Sequence, residues 1–91
     1  MILKSTGKFR KDYKRCIKRG LDRSLLEKVI DDLLAGKQLD KKHLDHELTG
    51  KYAGFRECHI QSDWLLIYRK NEETMVLTAM RTGTHSDLFD L

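Results

Sequence analysis

The sequence predicts an α+β fold: two antiparallel N-terminal helices packed on a small, mostly antiparallel four-stranded sheet, with a short C-terminal helical turn. Three observations carry this. Two stretches before residue 36 repeat apolar residues with a helical period. Three stretches after residue 54 read as strands joined by short polar turns. The 91 residues suffice for one domain, spanning 1–91. A chain this short buries about 60–65% of its unfolded surface, so it can support one thin core between a helical layer and a sheet.

Met1 to Lys4 is apolar at Ile2 and Leu3 and is expected as a first strand. Ser5 or Thr6 can cap the helix that follows. Phe9, Tyr13, Cys16 and Ile17 then share one helical face, and Gly20 accepts the left-handed conformation that stops it. A second helix is expected from Ser24, where Ser24-Leu25-Leu26-Glu27 fits a capping box. Leu25, Leu26, Val29, Ile30, Leu33 and Leu34 form its apolar face, and Gly36 ends it. The short link between the helices favours an antiparallel pair. Residues 37–48 are polar and irregular, with room for one loose helical turn, and Gly50 and Gly54 flank a turn into the sheet.

Phe55 to Ile60 alternates, with Cys58 and Ile60 on one side and Glu57 and His59 on the other. Trp64 to Tyr68 is continuously apolar, as in a central strand covered on both faces. Thr74 to Thr82 is the last strand, and apolar residues fall on both of its parities, so its inward face stays open. With the helices on one face of the sheet, the other is left free and carries His59 and Arg81. Thr84 to Phe89 forms the closing turn.

Composition excludes several classes. No apolar run approaches the ~18 residues of a membrane span, and the N-terminus lacks the apolar core of a secretory signal. A cytoplasmic protein with reduced thiols at Cys16 and Cys58 is expected. The net charge is +4, but residues 1–20 alone hold eight basic side chains and one acid, Asp12. Such a block suits a polyanionic partner, because neutralising phosphates releases counterions, or else it is a solvated helix face. Four histidines invite a metal, yet no C-x-x-C or H-E-x-x-H spacing is present, so neither metal nor cofactor is expected.

Proton transfer fits better. Imidazole titrates near neutrality and serves as acid or base. His46, His59, Asp63, Arg81 and His85 fall at strand ends and turns, where a meander gathers remote residues. A base, an acid and a fixed cation suffice for RNA cleavage by its own 2′-hydroxyl. Plainer readings stand beside this one: a surface histidine is ordinarily just solvated, Asp63 can cap a turn, Trp64 can be core, and Phe89 can tack down the C-terminus.

Four motifs in order then resemble one family. They are Asp45-His46-Glu47-Leu48-Thr49-Gly50, Gly54 to His59 (GFRECH), Asp63 to Tyr68 (DWLLIY) and Arg81 to Phe89 (RTGTHSDLF). Together they resemble the YafQ branch of the RelE/ParE superfamily of bacterial toxins, in spacing and over the whole chain. The resemblance implies the toxin of a type II toxin–antitoxin pair, a ribosome-dependent endoribonuclease (mRNA interferase) that cuts messenger in the A site without a metal. It implies functional positions at His46, His59, Asp63, Trp64, Arg81, His85 and Phe89. His85 would be the acid and His46 or His59 the base. Asp63 would orient a histidine, Arg81 would hold phosphate, and Trp64 and Phe89 would position bases or the C-terminal segment. Lys8, Lys11, Lys14, Arg15 and Lys18 would grip ribosomal or messenger RNA. The implied partners are the ribosome, messenger RNA and a cognate ribbon-helix-helix, DinJ-like antitoxin with an acidic C-terminal segment. The chain departs from some relatives in having no proline, including in the His46 loop.

Two competing readings use the same fold. One is a ParE-like toxin that binds DNA gyrase without cutting RNA, which has no need of three imidazoles around Arg81. The other is a non-catalytic RNA-binding module that uses the basic first helix.

Overall fold

The structure is a computed structural model, and it describes residues 1–89. Its elements are β1 (Ile2–Ser5), α1 (Gly7–Lys18), α2 (Arg23–Leu34), β2 (His46–Glu47), β3 (Arg56–Gln61), β4 (Trp64–Asn71), β5 (Val76–Gly83) and α3 (His85–Phe89), with 3₁₀ turns at Lys41–His43 and Gly50–Tyr52. Among the described residues no helix is long and apolar enough to cross a membrane.

The sheet has five strands in the order β1-β5-β4-β3-β2, not the four expected. The additional strand, His46–Glu47, is two residues long, too short to show any period. β1 pairs with β5 in parallel, and the other pairings are antiparallel. The parallel pair follows from chain order: β1 is followed by a helical crossover before the chain returns to the sheet.

Both helices lie on one face, α1 against β5 and α2 against β3. Phe9 and Cys16 from α1 and Leu26, Val29, Ile30 and Leu33 from α2 meet Cys58, Ile60, Trp64, Leu66, Tyr68, Leu77 and Ala79 in one core. Thr6 caps α1, its hydroxyl accepting from the Phe9 N–H at 2.9 Å. α2 begins at Arg23, two residues before the position a Ser24 cap would give, because Asp22 is the cap. Asp22 Oδ1 accepts from both the N–H (2.9 Å) and the hydroxyl (2.7 Å) of Ser24.

Two local features explain what periodicity could not resolve. A bulge at Ile67/Tyr68 pairs Ile67 with Arg81 and Tyr68 with Ala79. It inserts Met80 as an extra residue, so the inward parity of β5 changes midway. β1 also ends before β5 does. Beyond it, the Thr6 hydroxyl donates to the Met80 carbonyl (2.7 Å) and the Asp12 carboxylate accepts from the Thr82 N–H (3.3 Å), taking over the edge bonds that a longer strand would supply.

The second sheet face is not free, as the sequence suggested. Leu65 and Ile67 face it and are covered by Leu88 of α3, with Leu48, Tyr52, Phe55, Met80 and Phe89 packed around them. This small cluster splits the face into a histidine-bearing part and an arginine-bearing part.

Candidate active site

Antiparallel register builds the site. His46 of β2 lies opposite Glu57 of β3, which lies opposite Ile67 of β4, which lies opposite Arg81 of β5. Side chains directly opposite share a face, so this row crosses the face away from the helices. Glu57, 5% exposed, sits between two imidazoles: its Oε1 is 3.8 Å from His46 Nε2 and 3.6 Å from His59 Nε2. The His59 ring in turn lies 5.7 Å, centroid to centroid, from that of His85 on α3.

His85 is doubly held by Asp63, in the turn between β3 and β4. The carboxylate oxygen Oδ1 accepts the His85 backbone N–H at 3.0 Å and lies 2.7 Å from its ring Nδ1. The backbone hydrogen bond, then the ring, keep the Asp63 carboxyl below the usual carboxylate range. His46 Nδ1 lies 2.6 Å from the Leu44 carbonyl. Carbonyl and carboxylate oxygens accept only, so the partners assign the proton to Nδ1 in both rings and leave Nε2 of each for chemistry. His46 and His85 are also the more exposed imidazoles, at 51% and 41%, against 17% for His59. The fourth histidine, His43, places Nδ1 2.6 Å from the His59 carbonyl and so steadies the strand from the helix side.

Arg81 occupies the other end of the row. Two strand spacings, roughly 10 Å, separate its backbone from that of Glu57, and Leu88 covers the intervening Ile67. Its guanidinium is already partnered: Nε donates to Asp12 Oδ2 at 2.6 Å and Nη2 to Asp12 Oδ1 at 3.2 Å. Tyr52, Lys8 and Lys51 line the same hollow.

One sequence expectation needs correction. Trp64 is 1% exposed and its indole N–H donates to the Thr82 hydroxyl at 2.9 Å, so it is a core residue of the helix face and presents no ring to an RNA base. Arg15, its side chain 42% exposed, is partly engaged by acids. It donates to Asp12 at 3.1 Å and approaches Asp87 at 3.8 Å, whereas Lys8, Lys11, Lys14 and Lys18 are exposed. Phe89, expected to position bases or the C-terminal segment, meets Tyr52 edge-on at 5.9 Å inside the small apolar cluster that seats the C-terminal helix.

Two acids outside the expected site residues join the site, Glu57 and Asp12. Glu57 was legible, since strand parity already placed it beside His59. Asp12 had a signal too, being the lone acid in the basic block. The spacing rule that spoke against a metal also missed what folding assembles: ligand atoms of Glu57, His59 and His85 all lie within 4.8 Å of one another. Two imidazoles and a carboxylate are a donor set suited to zinc or another first-row transition ion.

A cluster of imidazoles and carboxylates thus lies on the sheet face away from the helices, and Lys8 of α1 lines the hollow around Arg81. The model of the family described as "Bacterial toxin of type II toxin-antitoxin system, YafQ" matches residues 1–90. The chain belongs to that family. It is 35% identical over 85 residues to the mRNA interferase toxin YafQ of Escherichia coli K12, covering 92% of this chain and 90% of the relative. Among solved structures, a metal-bound toxin from Helicobacter pylori superposes with a TM-score of 0.92 at 39% identity, covering 98% of this chain and 99% of the other. YafQ in the E. coli DinJ–YafQ complex superposes with a TM-score of 0.88 at 34% identity, covering 96% of each chain.

Proposed function

We propose that this chain is an mRNA interferase: an endoribonuclease that cuts messenger in the ribosomal A site through acid–base chemistry on the histidine-bearing part of its open face. The observation that carries it is His85, pinned through Nδ1 and its own backbone N–H to Asp63 and set beside His59 and Glu57. His46 Nε2 takes the proton from the 2′-hydroxyl, whose oxygen attacks the adjacent phosphorus. His85 Nε2–H gives its proton to the departing 5′-oxygen. The O2′–P bond forms as the P–O5′ bond breaks, leaving a 2′,3′-cyclic phosphate and a 5′-hydroxyl. Glu57 and His59 stabilise the charge that passes between the two exposed rings, and Arg81, braced by Asp12, binds backbone phosphate.

The route needs no metal. Glu57, His59 and His85 would be the residues to hold an ion, which would supply Lewis-acid stabilisation of charge. Treating the toxin alone with EDTA, and removing the chelator before it meets programmed ribosomes, is expected to leave the cleavage rate unchanged; a rate lost on that treatment and restored by a transition-metal ion would overturn the metal-independent route.

The surface that reads RNA is small, so the ribosome presents the messenger and the site supplies local chemistry. Exposed Lys8, Lys11, Lys14 and Lys18 grip RNA phosphates there. The cytoplasm, where ribosomes are, is the place of action. A cognate DinJ-like, ribbon-helix-helix antitoxin with an acidic segment neutralises the toxin by covering its basic or catalytic surface. Single-turnover cleavage on programmed ribosomes and on naked messenger tests the reading. His85→Ala is expected to lose about 100- to 10,000-fold on ribosomes with its fold intact. Wild-type rates in that variant would remove His85 as the acid, and equal wild-type rates on naked and ribosome-bound messenger would point to a free ribonuclease.

A further inference from the structure

α3 carries the proposed acid on a helix of five residues. Helices shorter than about 12–15 residues are marginal in water by themselves, so its orientation must come from outside. Asp87, two residues beyond His85, supplies three constraints. Its Oδ2 accepts the Thr84 N–H at 3.0 Å while its own N–H donates to Thr84 Oγ1 at 3.1 Å, a reciprocal cap that brackets His85. The same carboxylate takes a two-pronged hydrogen bond from Arg19 at the C-terminal end of α1, Nη1 to Oδ2 at 2.6 Å and Nη2 to Oδ1 at 3.2 Å. Arg15 approaches from the same helix at 3.8 Å.

The preceding backbone is shaped around this carboxylate. Gly83 has φ +154°, and a Cβ placed there would stand 2.9 Å from Asp87 Oδ2 and 3.0 Å from its Cβ. Asp63, which holds the other side of His85, has a side chain 62% exposed, against 12% for Asp87. The cations of the two pairs are similarly exposed, 44% for Arg19 and 41% for His85, so the difference lies in the carboxylate: a sheltered one gripped by a two-pronged arginine is held in geometry more firmly than one left in solvent.

We propose that the Asp87–Arg19 pair is the positioning device for His85, clamping α3 to α1 so that the imidazole meets Asp63, His59 and the leaving oxygen together. This rests on the reading of His85 as the acid. Neither Asp87 nor Arg19 touches substrate in this scheme. A misplacement of about 1 Å can cost up to ~100-fold in rate, so the clamp should be felt in turnover and not in substrate affinity.

The test uses purified full-length Asp87→Asn, Arg19→Gln and Arg19→Lys, with His85→Ala as reference, in single-turnover cleavage on programmed ribosomes. Asp87→Asn is expected to lower the maximal rate about 10- to 100-fold with half-saturation within about twofold of wild type. Arg19→Gln should follow it, and Arg19→Lys should fall between, since lysine keeps the charge but lacks the fork. The nuclear magnetic resonance signals of the His85 imidazole, set by its bond to Asp63, should shift or broaden in Asp87→Asn and Arg19→Gln while core amides stay put. Arg19 is exposed on the surface, so Arg19→Gln keeps the test open if Asp87→Asn fails to fold.

A wild-type maximal rate in Arg19→Gln, beside a disabled His85→Ala, would overturn the positioning role. So would a loss confined to half-saturation that disappears at low salt, which would make Arg19 an RNA contact. If His85→Ala itself cuts normally, the acid assignment falls separately. The clamp is then judged by the imidazole signals alone, and signals unmoved in Asp87→Asn refute it.

Discussion

The two faces of the sheet divide the work. Toward the helices, Cys58, Trp64, Leu66, Tyr68, Leu77 and Ala79 are buried and joined to α1 and α2. Their polar atoms are satisfied internally: the Trp64 indole by Thr82, and Thr82 in turn by the Leu65 carbonyl at 2.7 Å. Burial chiefly, with the Asp45 and Glu57 carboxylates adding to it, pushes the Cys58 thiol up to about 12, which makes it an inert small hydrophobe. Across the same strands, one residue away, stand Glu57 and His59, with His46 alongside. The strand period of two lets adjacent positions serve opposite ends, one facing the core and the next facing the proposed active site. The described residues form a single sheet, so the core and the proposed site share its strands and are separated by parity.

The widest separation is expected between Trp64→Ala and His59→Ala. Truncating the buried tryptophan should cost about 3–5 kcal/mol, much of the total stability of a domain this small. Removing His59 should leave the urea midpoint nearly unmoved but depress cleavage about 100-fold or more. Paired denaturation and cleavage assays read both. A stable Trp64→Ala protein that fails only in cleavage would erase the division between faces and return Trp64 to the substrate.

A smaller effect tests how the His46-bearing edge is tied to the core. The Tyr68 hydroxyl, kept protonated mainly by burial, donates to Asp45 at 2.6 Å, and Arg56 donates to the same oxygen at 3.2 Å. Asp45 immediately precedes His46. Tyr68→Phe should cost about 1 kcal/mol of stability, since Asp45 keeps its arginine. Hydrogen exchange should rise at His46 and Glu47 more than in β4. Uniform destabilisation without that local change would mean that the Tyr68 bond does not anchor β2.

The smallest predicted effect is confined to acid. The Arg19 hydrogen bond, chiefly, holds the Asp87 carboxyl well below the usual carboxylate range. A carboxyl depressed in the folded state contributes its stability fully above the unfolded value of about 3.9, and loses it as pH falls through the folded one. Wild-type protein should therefore lose stability below about pH 4 more steeply than Asp87→Asn, with parallel curves near neutrality. Identical acid limbs in the two proteins would show that Asp87 gains nothing from the folded state.

Local pattern alone determined the helical stripes of α1 and α2, the buried central strand, the closing turn after Gly83 and the residue types for proton transfer. Each of these is written within a few neighbouring positions, as a period, a cap or a motif. Tertiary structure decided the rest. The two-residue strand at His46 exists only because β3 offers it an edge. The bulge after Ile67 reverses a parity that sequence could not orient, which aims Arg81 across the open face. Asp12, read as one acid among lysines, becomes the buried partner of Arg81 because β1 ends before β5 and leaves an edge for it to satisfy. Trp64 carries a motif's signature, yet it is core, since which side of a strand a side chain meets depends on what packs there. The approach of Glu57, His59 and His85, residues from a strand and a distant helix, is set by strand register and by the seating of α3, and neither is a property of any local stretch of chain.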